Sequence, residues 1–385
     1  MTMGKVNATI ELISPVHIGS GEELSPLDFV YDGKRFIRVN LDKVIELVDD
    51  IEWLTSMLSH GSIEEVLKKA RIPLEKVMRY SIPSLGNGDI KKVREHIKRA
   101  DDMPIIPGSS LKGAIRTSLL RIFELSSKAD EIKTNIVKSR NKGKGELKKL
   151  KQSAAKPLEK SVFIGEKGRE KSTMRQGTSE SNYDIMRALQ ISDITFSLKD
   201  LCLIPVKVAS KEGGRIKWKQ LPRRSLDSPE QATTIWVEAL RPGAKAAFTI
   251  KWDEDILERF DKELGLNPEV VSLVNFKANL DPINIKVAIP SKKRERRFWE
   301  SYPSFSFYKD TLKIFKGYIT LRLAWGSGFL DMTVTEKYGD ELIEEVRKAF
   351  YKRSHPGNFP KTRRVAFKDN KPWMPFGWVR IKLQE

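Results

Sequence analysis

Residues 105–116 run Ile105-Ile106-Pro107-Gly108-Ser109-Ser110-Leu111-Lys112-Gly113-Ala114-Ile115-Arg116. An apolar pair enters a Gly-Ser-Ser turn, after which Leu111, Ile115, Leu119 and Ile122 recur at helical spacing. The turn heads the helix with unpaired backbone N–H groups and two serine hydroxyls, at the positive end of the helix dipole. That is a natural seat for phosphate. Lys112 and Arg116 lie four residues apart and share a face. A plainer reading fits the same residues: a serine-capped helix with no ligand. The ending Gly-Lys-Ser/Thr at the required spacing is missing, so this is not a Walker A loop.

Upstream, Val6, Ala8, Ile10 and Leu12 alternate with polar residues, as in a half-buried strand. This strand leads into Ser14-Pro15-Val16-His17-Ile18-Gly19-Ser20-Gly21, expected to be a loop. Short strands are expected at 29–31 and 35–39 around the Asp32-Gly33 turn. The spacing of Leu41, Val44, Ile45, Val48 and Ile51, with a capping box at Ser62 and Glu65, predicts a helical insertion over 41–100. Residues 128–171 are lysine-rich and almost without aromatics, and are expected to be a mobile basic segment. The alternative is a solvated helical hairpin, because Leu147, Leu150 and Ala154 have some periodicity.

Downstream, strands are expected at 189–196, 201–209, 215–221, 233–240, 244–252 and 318–325, with closing strands at 364–367 and 378–383. Helices are expected at 254–264, 268–278 and 340–351. Strands and helices mix without the strict alternation of a doubly wound sheet, so the fold class is α+β. The division expected is 1–200 and 201–385.

The charge points to the partner. Seventy Lys and Arg against 51 Asp and Glu leave +19. Adaptation to heat enriches both signs and does not produce such a surplus. Nucleic acid therefore stands ahead of acidic lipid or acidic protein. Cys202 is the single cysteine, so neither an internal disulfide nor a thiolate zinc site is possible, which suits a cytoplasmic location. Residues 1–30 lack the pattern of a signal peptide, and no run nears the ~18 apolar residues of a membrane span.

Two further glycine loops, Gly19-Ser20-Gly21 and Gly326-Ser327-Gly328, follow apolar strands and let a backbone approach closely; each is equally a simple turn. His17 is the best candidate for acid–base chemistry, set against a histidine that only stacks or hydrogen-bonds. His60, His96 and His355 sit in helical or tail contexts, and no histidine spacing suggests a metal. Asp28 and Asp32 are either paired carboxylates or turn formers. Asp193 lies in an apolar strand and needs a partner, with Arg187 or Arg116 in reach.

Taken together and in order, residues 15–21, 106–116, 189–193 and 325–330 resemble the RAMP superfamily of CRISPR proteins. Within it they are similar to the RAMP subunit at one end of the type III-A (Csm) effector complex. The resemblance runs from the first strand to Gly377-Trp378. It implies tandem ferredoxin-like (RRM-like) domains with helical insertions, and a ribonucleoprotein of antiviral defence. The implied partners are the CRISPR RNA, toward its 3′ end, the backbone RAMP subunit and the small helical subunit. No membrane, cofactor or metal is expected.

The RNA-facing positions implied are Gly19, Ser20, Gly21, Gly108, Ser109, Ser110, Lys112, Arg116, Gly326, Ser327 and Gly328, with His17 beside them. Asp28 stands where the repeated subunits of such complexes carry a cleaving aspartate, but Ser25-Pro26-Leu27-Asp28-Phe29 lacks the expected glycines. The expectation is thus a non-catalytic binding subunit. The alternative is a metal-independent endoribonuclease of CRISPR RNA processing with His17 as base. The aromatic pair that stacks bases on a typical RRM sheet is not identifiable, so backbone and shape are expected to be read rather than sequence.

Overall fold

The computed structural model describes residues 2–384 apart from 124–125, 154, 165–179, 222–223, 277–279 and 352–358. The alternation of Ala8, Ile10 and Leu12 buries one side of the strand Met3–Leu12, which lies at the centre of a five-stranded antiparallel sheet. The order across that sheet is Ile319–Arg322, Trp378–Leu383, Met3–Leu12, Lys245–Asp253, Leu189–Ile191. In register, Ala8 opposes Phe248 and Ile10 opposes Ile381. The helix Gly108–Phe123 joins the same core through Leu111, Ile115, Leu119 and Ile122, the face its spacing predicts.

A second, larger sheet follows the path Arg224–Leu226, Arg215–Gln220, Leu201–Glu212, Ile235–Leu240, Val93–His96, Gly19–Leu24. The strand Thr362–Lys368 branches from Leu201–Glu212 and pairs in turn with Lys371–Pro375. One face of this sheet is covered by an aromatic cluster that includes Trp218, Phe298, Trp299, Phe305 and Phe367. The other carries a thinner cluster of Cys202, Ile204, Val206, Val237, Ala239, Ala366 and Phe376, bordered by the partly buried Trp325 and Trp373. Val365 and Phe367 face the first cluster and Ala366 the second, as strand alternation requires. By the same alternation Arg364 and Lys368 stand on the thinner side. A small third sheet, Phe29–Tyr31, Arg35–Val39 and Met78–Pro83, packs with four short helices.

Several expectations need correction. Helices occupy Leu41–Leu47, Ile51–His60, Ile63–Lys69 and Leu74–Val77, with Ser62 capping through the Glu65 N–H. From Met78, however, the chain is strand, because Tyr80 and Ile82 alternate inward against Arg35–Val39. The helical reading of 78–100 therefore fails, and Val93–His96 is strand as well. The basic segment is not a loop over its described part. It forms the helices Ser126–Lys142, Lys144–Ser153 and Lys156–Phe163, which bury Ile132, Ile136, Leu147, Leu158, Val162 and Phe163. Sparse but regularly spaced apolar residues anchor them. Gly19-Ser20-Gly21 opens a strand rather than lying in a loop. The helical run from Asp281 to Trp299 was not anticipated. Each of the two larger sheets draws strands from both sides of residue 200, so neither follows a division there.

Candidate nucleic-acid interface

Behind the first glycine strand lies a buried polar network. His17 and His96 are almost fully buried. His17 Nδ1 lies 2.7 Å from the Glu238 carbonyl and donates to it. The Glu238 carboxylate, itself buried, accepts from the Tyr80 hydroxyl, the His96 N–H and Lys98 Nζ. His96 accepts the Ile18 N–H at Nδ1, so its other nitrogen carries the proton and donates to the Ile105 carbonyl. Burial, opposed by the Glu238 carbonyl and helped by Arg94 and Lys98, lowers the pKa of His17 to about 4. Burial also holds His96 well below the usual value. Both rings are neutral at pH 7 and serve as struts: Ile18 N–H to His96, and His96 to Ile105, tie the first glycine strand to the short strand Ile105–Ile106 that leads into the helix Gly108–Phe123.

The two glycine motifs come together at Trp325. Its N–H donates to the His17 carbonyl at 3.1 Å, and its ring meets His17 and Phe376 edge-on, each at 5.4 Å. Over the same ring lie two guanidinium groups, Arg364 at 4.5 Å and Arg94 at 5.5 Å from the centroid. A guanidinium over an indole is attracted by the ring while its N–H groups remain available. Among the described residues Arg94 has one carboxylate neighbour, Glu23 at 3.5 Å, which Lys92 shares. No described carboxylate pairs with Arg364. Desolvation and the nearby Arg94 both lower its pKa. Further along the same strand, Lys368 lies 5.8 Å from the centre of the Trp373 ring. Cations thus alternate with aromatics on the thinner face of the large sheet, beside two glycine motifs. Gly21 and Gly328, both with positive φ, face open space. Sequence reasoning missed Arg94, Trp325, Arg364, Lys368 and Trp373; the one signal available was Trp325 immediately before Gly326.

The 108–116 segment is built differently. Gly108 is required by packing: a Cβ there would lie 2.0 Å from the Ile191 carbonyl oxygen. The Gly108 N–H donates to Asp193 Oδ1 at 2.8 Å. Asp193 lies not within a strand but in the exposed link between Leu189–Ile191 and Ile194–Thr195, and from there its carboxylate already caps the head of this helix. This corrects the pairing expected for Asp193 with Arg116 or Arg187, since Arg187 donates to the Asn182 carbonyl instead. Lys112 is half-buried and donates to the Leu189 carbonyl at 2.7 Å; desolvation lowers its pKa, as does Arg116, while Asp184 opposes. Arg116 pairs with Asp184 at 2.8 Å and Glu159 at 3.1 Å, and stacks 4.0 Å from the Phe163 centroid. Ser109 is exposed and Ser110 half-buried.

In the late glycine motif, Gly326 has positive φ and a Cβ would reach 2.8 Å from Phe376 Cβ. Ser327 is buried and donates to the Ala324 carbonyl. In the early one, Ser20 is exposed and donates to Glu95 at 2.9 Å. Asp28 accepts from the Ser25 N–H and hydroxyl and pairs with Arg38, while Asp32 accepts from the Lys34 and Arg35 N–H groups. Both shape turns. His355 and the His60 side chain lie outside the described residues. Among the described residues no group of three or more His, Cys, Asp or Glu could hold a metal ion. No described helix is long and apolar enough to cross a membrane.

Residues 9–320 match the RAMP superfamily. The chain belongs to that superfamily. Among curated RAMP relatives, a protein of Methanocaldococcus jannaschii named "CRISPR system Cms protein Csm5" is 24% identical over 411 residues, covering 97% of this chain and 88% of its own length. A Streptococcus thermophilus protein of the same name is 32% identical over 127 residues, 28% of this chain and 36% of its own. Among solved structures, a chain of a Csm–crRNA–target RNA ternary complex of a type III-A CRISPR-Cas system superposes with a TM-score of 0.65 at 25% identity. The superposition covers 98% of this RAMP chain and all of that one. The crystal structure of T. onnurineus Csm5 superposes with a TM-score of 0.59 at 21% identity, over 96% and 99% of the two chains, a likeness of fold.

Proposed function

We propose that this chain is a non-catalytic, CRISPR RNA-binding subunit of a type III-A (Csm) effector complex. We place it at the end of the assembly, on the 3′ part of the guide RNA, against the backbone RAMP subunit and the small helical subunit, where it helps maturation or assembly. The names of its relatives support the assignment to that assembly. The observation that carries the RNA-binding role is the face on which Arg94 and Arg364 lie over the Trp325 ring beside the glycine motifs. A phosphodiester backbone fits two preorganised guanidinium forks and glycines that leave room for it. Gly19, Ser20, Gly21, Ser109 and Gly328 remain in the contact set, joined by Arg94, Arg364 and Lys368. His17, Gly108, Ser110, Lys112, Arg116, Gly326 and Ser327 act as the scaffold that positions them. The order of Trp378–Leu383, Met3–Leu12, Lys245–Asp253 and Leu189–Ile191 supports one ferredoxin-like unit within the tandem arrangement.

The non-catalytic reading is supported by the state of His17. Its Nδ1 donates within the chain, its pKa near 4 makes it a weak base, and its neighbour His96 is buried with both ring nitrogens engaged inside the chain. Purified protein incubated with precursor RNA, with and without chelator, should bind the RNA and leave it intact. A specific product that disappears in His17→Ala would establish the endoribonuclease instead.

A further inference from the structure

One part of the molecule is unsuited to RNA. Between Lys43 and Lys68 there is no Lys or Arg, while Glu46, Asp49, Asp50, Glu52, Glu64 and Glu65 contribute six negative charges. Residues 44–67 of the helical module therefore carry −6 within a chain of +19, a stretch that a polyanion avoids. Within that module the turn joining Leu41–Leu47 to Ile51–His60 exposes Ile45 at 43%, Leu47 at 45% and Ile51 at 53%. Three of the nine large apolar side chains exposed among the described residues fall within these seven positions. They are not leftovers of a poorly formed core: Val44 and Leu54 fill the interior of the module and are buried. The outer apolar residues alternate with Glu46, Asp49 and Glu52, none of which has a described cationic partner.

We infer that this elbow is a protein-docking surface, and that its occupant is a neighbouring subunit presenting a basic rim around an apolar hollow. Apolar side chains at the centre with charges around them is the usual composition of a protein interface. The sign of the charge selects a basic partner by complementarity and rejects nucleic acid. The inference rests on the chain being a subunit of the effector. It adds a division of labour: RNA on the Trp325 face, a protein neighbour on the acidic elbow.

The test is made on the assembled complex, with the tagged chain expressed together with the other effector subunits and the guide RNA. A carbodiimide, which joins carboxylates directly to lysine amines, should link Glu46, Asp49 or Glu52 to lysines of another subunit. The variant Glu46→Lys/Asp49→Lys/Glu52→Lys spares the helix cap at Asp50. It should remain folded, melting slightly below wild type because Glu52 leaves the first turn of its helix, and bind a guide RNA oligonucleotide at least as tightly, yet retain less than a tenth of the neighbouring protein by native mass spectrometry. Ile45→Ser/Leu47→Ser/Ile51→Ser should lose the neighbour without the gain in RNA affinity. A complex that contains the chain, with the elbow carboxylates unlinked to other subunits and the reversed variant fully incorporated, overturns the docking surface alone. A wild-type chain that enters no complex overturns the assignment to the effector.

Discussion

Lys112 and Arg116 sit in the motif that best marks the family, whereas Arg94 and Arg364 sit on strands with no motif around them. In the first pair each cation is already engaged: Lys112 with the Leu189 carbonyl, Arg116 with two carboxylates and the Phe163 ring. In the second the guanidiniums rest on Trp325, and Arg364 has no described counter-charge. The comparison teaches that a cation's availability is decided by what lies around it after folding. A conspicuous motif can be conspicuous because it assembles the scaffold.

The largest effect should come from the scaffold side. Ile115 is 2% exposed in the main core. Ile115→Ala should cost roughly 2–5 kcal/mol in denaturant unfolding, while RNA affinity of the folded fraction stays at the wild-type value. A loss of affinity without a loss of stability would move this helix to the RNA surface.

Acid should act on the buried histidines next. The folded pKa of His17 is depressed from 6.5 to about 4, so the unfolded chain takes up the proton first as pH falls. The associated stability is complete above about pH 6.5 and is lost progressively down to about pH 4. It amounts to about 3 kcal/mol from this residue, and His96 acts in the same direction. Unfolding free energies measured at pH 7 and pH 4.5 should show the decline, and replacing His17 with Gln should reduce it. A stability independent of pH over that range would mean that the rings are not buried neutral.

Arg116→Ala tests the comparison itself. It removes two ion pairs and a cation–π contact that are partly exposed, so a cost of about 1–2 kcal/mol is expected. The melting temperature should fall and the salt dependence of RNA binding should not change. A reduced salt slope at unchanged stability would return Arg116 to the phosphate-binding set.

Much of the fold was legible because it rests on local periodicity. The alternation in 6–12, the helical face of 111–122 and the Ser62 cap all survive folding, and the α+β class follows from them. The errors arose where pairing between distant segments overrode local pattern. Residues 78–83 became strand because 35–39 offered an edge, and a thin line of apolar residues sufficed to make 126–142, 144–153 and 156–163 helical. The site was less legible for the same reason. Gly108 is fixed by a carbonyl on residue 191, and Trp325 meets Arg94 and Arg364 only through sheet order, so no spacing along the chain announces either.

The central claim is that RNA is held by the cations of the Trp325 face and not by those of the 108–116 helix. The direct measurement is the salt dependence of guide RNA binding for Arg94→Ala/Arg364→Ala beside Lys112→Ala/Arg116→Ala. Each lost phosphate contact should lower the slope of log K against log salt by about 0.7 for a single strand. The first variant should therefore lose about 1.4 from the slope, with only the modest fall in melting temperature expected from two lost cation–π contacts, and the second should keep the wild-type slope while melting lower. The reverse pattern, with the slope lost in the second variant and kept in the first, would contradict the account.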